Sequence, residues 1–262
     1  MSVGKEFEKL VEIMAKLRSD EGCPWDREQS HKSLRRHLLE ETYEVLEAID
    51  NENPEQLKTE LGDLLLQVVF HAQLAAEAGD FSIEQVVESI NDKLIRRHPH
   101  VFGEAVIRTA QEQVVAWEKS KLKREGKKSV IDGVPKHLPA LLRAHRLQSK
   151  AAAVGFDWPQ TEPVWEKLEE EIRELKEAVA AQNESHIEEE FGDLLFTLVN
   201  LGRFIKVEPE EALRRTIEKF ERRFRQVEAQ LQSQGRSLAD ATLDEMDREW
   251  ENVKKAEQRK SN

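Results

Sequence analysis

The sequence is poor in the residues that break helices or staple small folds together. Its 262 residues include a single cysteine, Cys23, which rules out an internal disulfide and makes a reducing compartment the simplest expectation. Glycine (11) and proline (8) are scarce, and runs of alternating β-branched residues are rare. That leaves no convincing series of strands and predicts an all-α chain. A long apolar run is missing too. The most apolar stretch, 64–76, is interrupted by Gln67, His71 and Gln73, and it falls short of the roughly 20 residues that cross a bilayer. The segment 1–17 is amphipathic and carries Glu6, Glu8 and Glu12, unlike a signal peptide. Positive charge is in deficit. At a net −12 the chain does not attract a phosphate backbone, so nucleic acid is not an expected partner, and an anionic ligand would need bridging cations. The expectation is a soluble, cytoplasmic protein with no membrane contact.

What the sequence does contain is helical periodicity and charge. Hydrophobic residues make up 39 % and charged residues 35 %. Phe7, Leu10, Val11, Met14 and Leu17 form one stripe of a first helix over about 5–17. Gly22-Cys23-Pro24-Trp25 then reads as a break. Further helices are predicted over about 33–50, 54–78, 82–97 and 109–124, with Pro54 suited to a first helical position. Residues 125–136, EGKKSVIDGVPK, read as a linker. Beyond them helices are predicted over about 138–153, 163–181, 185–206, 209–232 and 243–258. Gly155-Phe156-Asp157-Trp158-Pro159 breaks the first from the second.

The second half repeats the first. Residues 40–66 laid without gaps on 170–196 match at 11 of 27 positions, among them Glu40, Glu41, Glu44, Glu60, Gly62, Asp63, Leu64 and Leu65. Lys93, Arg96 and Arg97 are echoed by Lys219, Arg222 and Arg223. Trp117-Glu118-x-x-Lys121 is echoed by Trp250-Glu251-x-x-Lys254. Two tandem helical domains, 1–124 and 137–262, joined by 125–136, account for the repeat.

The repeated acids define a geometry. Glu41 and Glu44 are three residues apart, as are Glu60 and Asp63, so each pair shares a helix face. A short turn should make the two helices antiparallel. The pairs 41/63 and 44/60 are both centred on position 52; in the second copy 171/193 and 174/190 are both centred on 182. Glu171, Glu174, Glu190 and Asp193 can therefore face one another as their counterparts do. A single E-x-x-E in so acidic a chain is usually a solvated face. Here Asp63 and Asp193 sit in LGDLLLQVVF and FGDLLFTLVN, segments without Lys or Arg whose apolar character predicts burial. Buried carboxylates need a compensating charge, and an all-oxygen set selects a hard ion, Mg²⁺ or Mn²⁺. A di-iron bundle would want Glu-x-x-His, which neither copy supplies.

Other residues have two open readings. Lys219, Arg222 and Arg223, like Lys93, Arg96 and Arg97, form either a solvated basic face or a phosphate grip. Trp250 on the stripe Leu243, Met246, Val253 either anchors the last helix or stacks on a nucleobase, and Trp117 is its first-half equivalent. Asn200 shares a face with Asp193 and can bind sugar or phosphate or satisfy the backbone; Phe70 takes that place in the first half.

EETYE…ELGD and EEIRE…EFGD resemble the E-E-x-x-E…E-x-x-D signature of the MazG nucleoside triphosphate pyrophosphohydrolases, in their tandem two-domain form. GCPWD, KLIRRHPHVF and KFERRFR fit the same picture. The resemblance implies an all-α homodimer that cleaves nucleoside triphosphates to monophosphate and pyrophosphate with broad base choice. It implies Mg²⁺ at Glu171, Glu174, Glu190 and Asp193, with Glu41, Glu44, Glu60 and Asp63 as the first-half set. It implies substrate contacts from Lys167, Glu170, Glu171, His186, Glu189, Asp193, Asn200, Lys219, Arg222, Arg223 and Trp250, and makes the second half the working one. His186 stands where a permanent cation would serve a phosphate better. Mg²⁺ bridging carboxylates and triphosphate, with water as the attacker, is the expected chemistry. Glu170, about 100° around the helix from Glu171, is the expected proton acceptor, and Glu40 its counterpart. A different class stays open: a helical regulatory or scaffold protein whose acidic sites do no catalysis.

Overall fold

The computed structural model describes residues 2–103, 109 and 129–260. Every regular element among these residues is helical. The chain divides into two compact units, Met1–Arg108 and Thr109–Asn262. Apart from residue 109, the expected helix over 109–124, with Trp117, lies outside the described residues, as does the start of the expected linker.

The first unit contains α1 (Val3–Arg18), α2 (Pro24–Glu28), α3 (Arg35–Asp50), α4 (Pro54–Ala78), α5 (Ile83–Arg97) and α6 (Pro99–Phe102). The break expected at Gly22-Cys23-Pro24-Trp25 is a turn followed by one short helix, because Pro24 sits at a first helical position where its missing N–H costs nothing. Met14, Leu34, Val69, Phe70, Ala72 and Ile83 form the core, flanked by Phe7, Leu10, Val11 and Leu17 of the α1 stripe. Ser82 and Gln85 close a capping box at the start of α5.

The second unit contains α7 (Ala140–Ala152), α8 (Glu162–Ala180), α9 (Glu184–Phe204), α10 (Pro209–Ser233) and α11 (Leu243–Lys260), with one 3-10 turn at Leu238–Asp240. The α8–α9 hairpin packs on Val164, Leu168 and Leu201. The α10–α11 pair has its own core of Val227, Leu231 and Val253. After α7 the chain turns at Gly155, whose φ of 94° is left-handed; Phe156 N–H reaches back to the Ala151 carbonyl at 3.1 Å.

The two acid-bearing hairpins turn in the same way. Glu52 (φ 49°) and Gln182 (φ 55°) both take left-handed backbone. Each is followed by an asparagine N-cap: Asn53 accepts from the Gln56 N–H at 3.2 Å, Asn183 from the His186 N–H at 3.4 Å. This shared turn holds the common register although Pro54 and Glu184 differ.

Burial differs from expectation along α4 and α9. The helices α4 and α9 are covered on one face only. Leu61, Leu65 and Val68 on α4, and Phe191, Leu195 and Leu198 on α9, remain exposed within the chain. Their second apolar face has no cover from the chain's own described elements.

Candidate active site

The helix hairpins bring the acids together. In the second unit one carboxylate oxygen each from Glu171, Glu174 and Glu190 lies within 4.8 Å of the others; in the first, Glu41, Glu60 and Asp63 do the same. Each trio contains three of the four acids expected. Glu171 and Glu190 are buried and Glu174 half-buried, whereas Asp193 is exposed; in the first unit Glu41, Glu60 and Asp63 are half-buried and Glu44 exposed. The apolar segments thus do not bury all four acids, because each helix has a wet side.

The charges are still crowded. Burial pushes the Glu190 carboxyl above the usual range, and neighbouring Glu174, Glu171 and Asp193 push it the same way against the pull of His186. Burial likewise raises Glu41, helped by Glu44, Asp63 and Glu60. Both fourth acids therefore act on their cluster electrostatically. An all-carboxylate set, crowded enough to favour protonation, fits a hard divalent cation.

Lysine supplies a local counter-charge that the ten-residue segments lack. Lys167 Nζ donates to Glu170 at 2.6 Å and lies 2.9 Å from Glu171. The pairing raises the Lys167 ammonium and holds Glu170 below its usual range. Glu170 is therefore a weak base while Lys167 is on it. In the first unit Arg36 holds Glu40 at 2.6 Å with the same effect, and His37 stands 3.3 Å from Glu40, in the register of Lys167. His186 Nδ1 lies 3.4 Å from Glu190 and 3.7 Å from Glu189.

A cavity of about 860 Å³ opens beside the second cluster, lined by Lys167, Glu171, Asp193 and Asn200 of the expected residues. Its other walls come from residues the sequence reading did not assign to a site. Gln148 comes from α7; Phe156, Asp157 and Trp158 from the turn before α8; Arg203 from α9; and Ile131 from the segment read as linker. The carboxylate of Asp157 accepts from Arg203 Nη1 at 2.7 Å and also from Nη2, which donates to Asn200 Oδ1 at 2.7 Å. A tryptophan repeated in the two GxxW breaks, Trp25 and Trp158, was the available signal for this wall.

Lys219, Arg222, Arg223 and Trp250 are not among the residues lining that cavity. Arg222 and Arg223 pair with Glu257 at 3.2 and 2.8 Å. The Arg223 guanidinium lies 5.8 Å from the Trp250 ring, and Phe220 packs on the same ring at 5.4 Å. Trp250 also borders the α10–α11 core, in keeping with the anchor reading. Lys93 and Arg96 are exposed and Arg97 is half-buried, all on α5. No described helix is long and apolar enough to cross a membrane.

Comparison with known proteins agrees with this arrangement. The model of the MazG nucleotide pyrophosphohydrolase domain matches twice, over residues 29–102 and 160–228, each match containing one acidic hairpin. The chain is 50 % identical, over 95 % of its length and 95 % of the relative's, to the nucleoside triphosphate pyrophosphohydrolase/pyrophosphatase MazG of Thermotoga maritima. It is 44 % identical to the nucleoside triphosphate pyrophosphohydrolase of Escherichia coli K12, over 96 % of this chain and 98 % of that one. On the doubled match and these identities, the chain belongs to the MazG nucleotide pyrophosphohydrolase family.

Proposed function

We propose that this chain is a nucleoside triphosphate pyrophosphohydrolase, a hydrolase of acid anhydrides that uses Mg²⁺ and releases pyrophosphate from its second unit. The observation that carries the reading is the cavity whose wall holds Lys167, Glu171 and Asp193, next to the Glu171, Glu174 and Glu190 trio. The relatives' names point to the same substrate class.

Glu171, Glu174, Glu190 and Asp193 would hold the cation. Once bound, Mg²⁺ would screen phosphate charge and make a bound water more acidic. The protein's own groups do the rest. A phosphate oxygen entering the cavity competes with Glu170 for the Lys167 ammonium. Released from that bond, Glu170 regains its ordinary basicity and can take the proton of the attacking water. Lys167 is thereby both a phosphate contact and a latch on the base.

The first unit shares the frame but not the lining. Phe70, in the register of Asn200, is buried in the core with Arg18 over its ring at 5.5 Å. His37 stands where Lys167 does. This favours an acidic site in the first unit that does not turn over substrate. Broad base choice and a role in nucleotide-pool control belong to the same proposal. So does a homodimer, which the uncovered apolar strips of α4 and α9 support, and a cytoplasmic setting, which the lone Cys23 fits.

The test is the full chain incubated with each nucleoside triphosphate and Mg²⁺. Pyrophosphate should appear, and Glu171→Gln or Asp193→Asn should each abolish it. Orthophosphate in its place would indicate a stepwise phosphatase, and turnover surviving both variants would move the activity out of the second unit.

A further inference from the structure

Ile131, part of the cavity wall, comes from residues 129–135, which the sequence presents as linker. A linker would be solvated and loose, whereas this one is folded. The Asp132 N–H donates to the Ser129 carbonyl at 3.2 Å, and the Asp132 carboxylate accepts from the Ser129 N–H at 2.9 Å. Two bonds running in opposite directions close 129–132 into a ring. Gly133 follows in left-handed backbone, φ 80°, which glycine takes without strain. The ring is fastened to α7 as well. Lys150, on α7 and 7 % exposed, donates from Nζ to the Val130 carbonyl at 3.1 Å. An ammonium group so far from water is costly unless charge-assisted hydrogen bonds offset it, and an apolar residue would serve helix packing alone at less cost. The carbonyl it holds belongs to the residue before Ile131, so the bond limits where the Ile131 side chain can point. Helix α7 is itself fixed to α9, since Gln148 Nε2 donates to the Phe196 carbonyl at 2.8 Å.

We infer that residues 129–135 are a strap on the ligand cavity, that Lys150 is its latch, and that Ile131 holds the nucleoside part of a bound nucleotide by apolar contact. The inference rests on the proposal that a nucleotide occupies this cavity. Phosphate belongs with Lys167 and with the cation of the acids, not against hydrocarbon. Leu147, Ala151, Phe156 and Trp158 line the same cavity as Ile131 and extend its apolar surface. Ile131 is 50 % exposed, so it has surface left for a ligand to cover. Such contact has no donor or acceptor direction. It holds a purine or a pyrimidine, on ribose or deoxyribose, and so agrees with broad base choice. Lys150 is a positioning residue in this scheme: it acts through the Val130 carbonyl on Ile131 rather than on the nucleotide. Contact made equally in the ground state and the transition state lowers KM and leaves kcat alone.

The experiment measures dissociation constants of AMP and UMP by calorimetry on the full chain with Mg²⁺, with kcat and KM for ATP and UTP in parallel. Ile131→Ala should weaken AMP and UMP alike, by roughly three- to ten-fold, as expected for part of one aliphatic side chain. Lys150→Met keeps the stem and removes the donors. It should weaken both ligands by a similar factor and raise KM, with kcat within about two-fold of the wild type. The double variant should be no more than about two-fold weaker than either single one, because both changes remove the same contact. Lys150→Arg keeps a donor and should recover binding to within about three-fold. If Lys150→Met does not fold, Asp132→Ala opens the ring from its exposed side; it should give the same loss alone and none on top of Ile131→Ala. Losses that multiply in the double variant, or a fall in kcat in place of a rise in KM, would mean that Lys150 only supports the fold, and they overturn the inference. Unchanged binding by Ile131→Ala overturns it too. Pyrophosphate release unaffected by any of these variants would sink the strap and spare the hydrolase reading. The expected binding losses in a chain that releases no pyrophosphate would do the reverse.

Discussion

The Asp157–Arg203 pair ties the turn before α8 to α9, and its strength can be worked out. The carboxylate receives both terminal nitrogens of the guanidinium, the two-point geometry that fixes orientation as well as distance. The side chains are 17 % and 25 % exposed, too wet for a full low-dielectric interaction and too dry for a free surface pair. With charge centres about 4 Å apart, an effective dielectric constant of about 40 gives about 2 kcal/mol, and bulk water about 1 kcal/mol. A coupling of about 1–2 kcal/mol is therefore expected, above the median for exposed pairs. The measurement is a double-mutant cycle of Asp157→Asn, Arg203→Met and the double variant, read from urea unfolding. Asp157→Asn alone should cost more than the coupling, because it leaves the Arg203 charge with a neutral amide, Asn200 Oδ1, in place of a carboxylate. A coupling under about 0.3 kcal/mol would refute the reasoning: the pair would then be an incidental surface contact, and Trp158 would owe its place to something else.

Other outcomes follow from the same geometry. Phe70→Ala should destabilise the chain by about 3–5 kcal/mol, since the ring is 3 % exposed in the first core; a loss below about 1.5 kcal/mol in thermal unfolding would mean the site collapses or is not packed. Gln182→Gly removes the side chain from a left-handed residue and should be neutral or stabilising by about 0.5–1 kcal/mol, whereas Gln182→Val should destabilise clearly; equal melting temperatures for the two would deny the turn its role. His71 is half-buried against His31, Nδ1 to Nδ1 at 2.8 Å, and partial burial followed by the His31 charge lowers its pKa from 6.5. Its folded form resists protonation, so the contribution is present above pH 6.5 and is lost as pH falls through the lowered folded value. Melting temperature should thus decline on acidification from pH 7 toward 5, and His71→Leu should flatten the slope; an unchanged slope in the variant would place the titration elsewhere.

Much of the frame could be read from periodicity. Helix limits followed from Pro and Gly and from the apolar stripes, and the acid register followed from spacing about positions 52 and 182. These are local properties of one hairpin, where the covalent turn leaves little freedom. The cavity wall was not legible, because it is assembled from α7, the turn at Gly155, α9 and Ile131, which are close only after folding. The partners of charged groups were equally hidden. Glu170 looks like a free base in sequence until Lys167, three residues earlier on the same helix, is seen to occupy it. Exposure of Asp193 and Glu44 escaped prediction for a different reason: apolar composition says a helix has a dry face, not how many.

The two halves show which features of the site are cheap to keep and which are free to change. Register depends on the turn, and the turn depends on a left-handed residue and an asparagine cap. Both survive at Glu52-Asn53 and Gln182-Asn183 while the residue after the cap changes from Pro54 to Glu184. With register kept, the acids meet in either half. The lining is under no such constraint, since one helix face tolerates Phe70 or Asn200, and another His37 or Lys167, without disturbing the hairpin. A buried phenyl ring adds to the core of its half. A buried amide needs partners, and Arg203 with Asp157 provides them only in the second half. The polar lining costs stability that the first half keeps, so the half with the amides, the lysine and the cavity is the one arranged to receive a ligand.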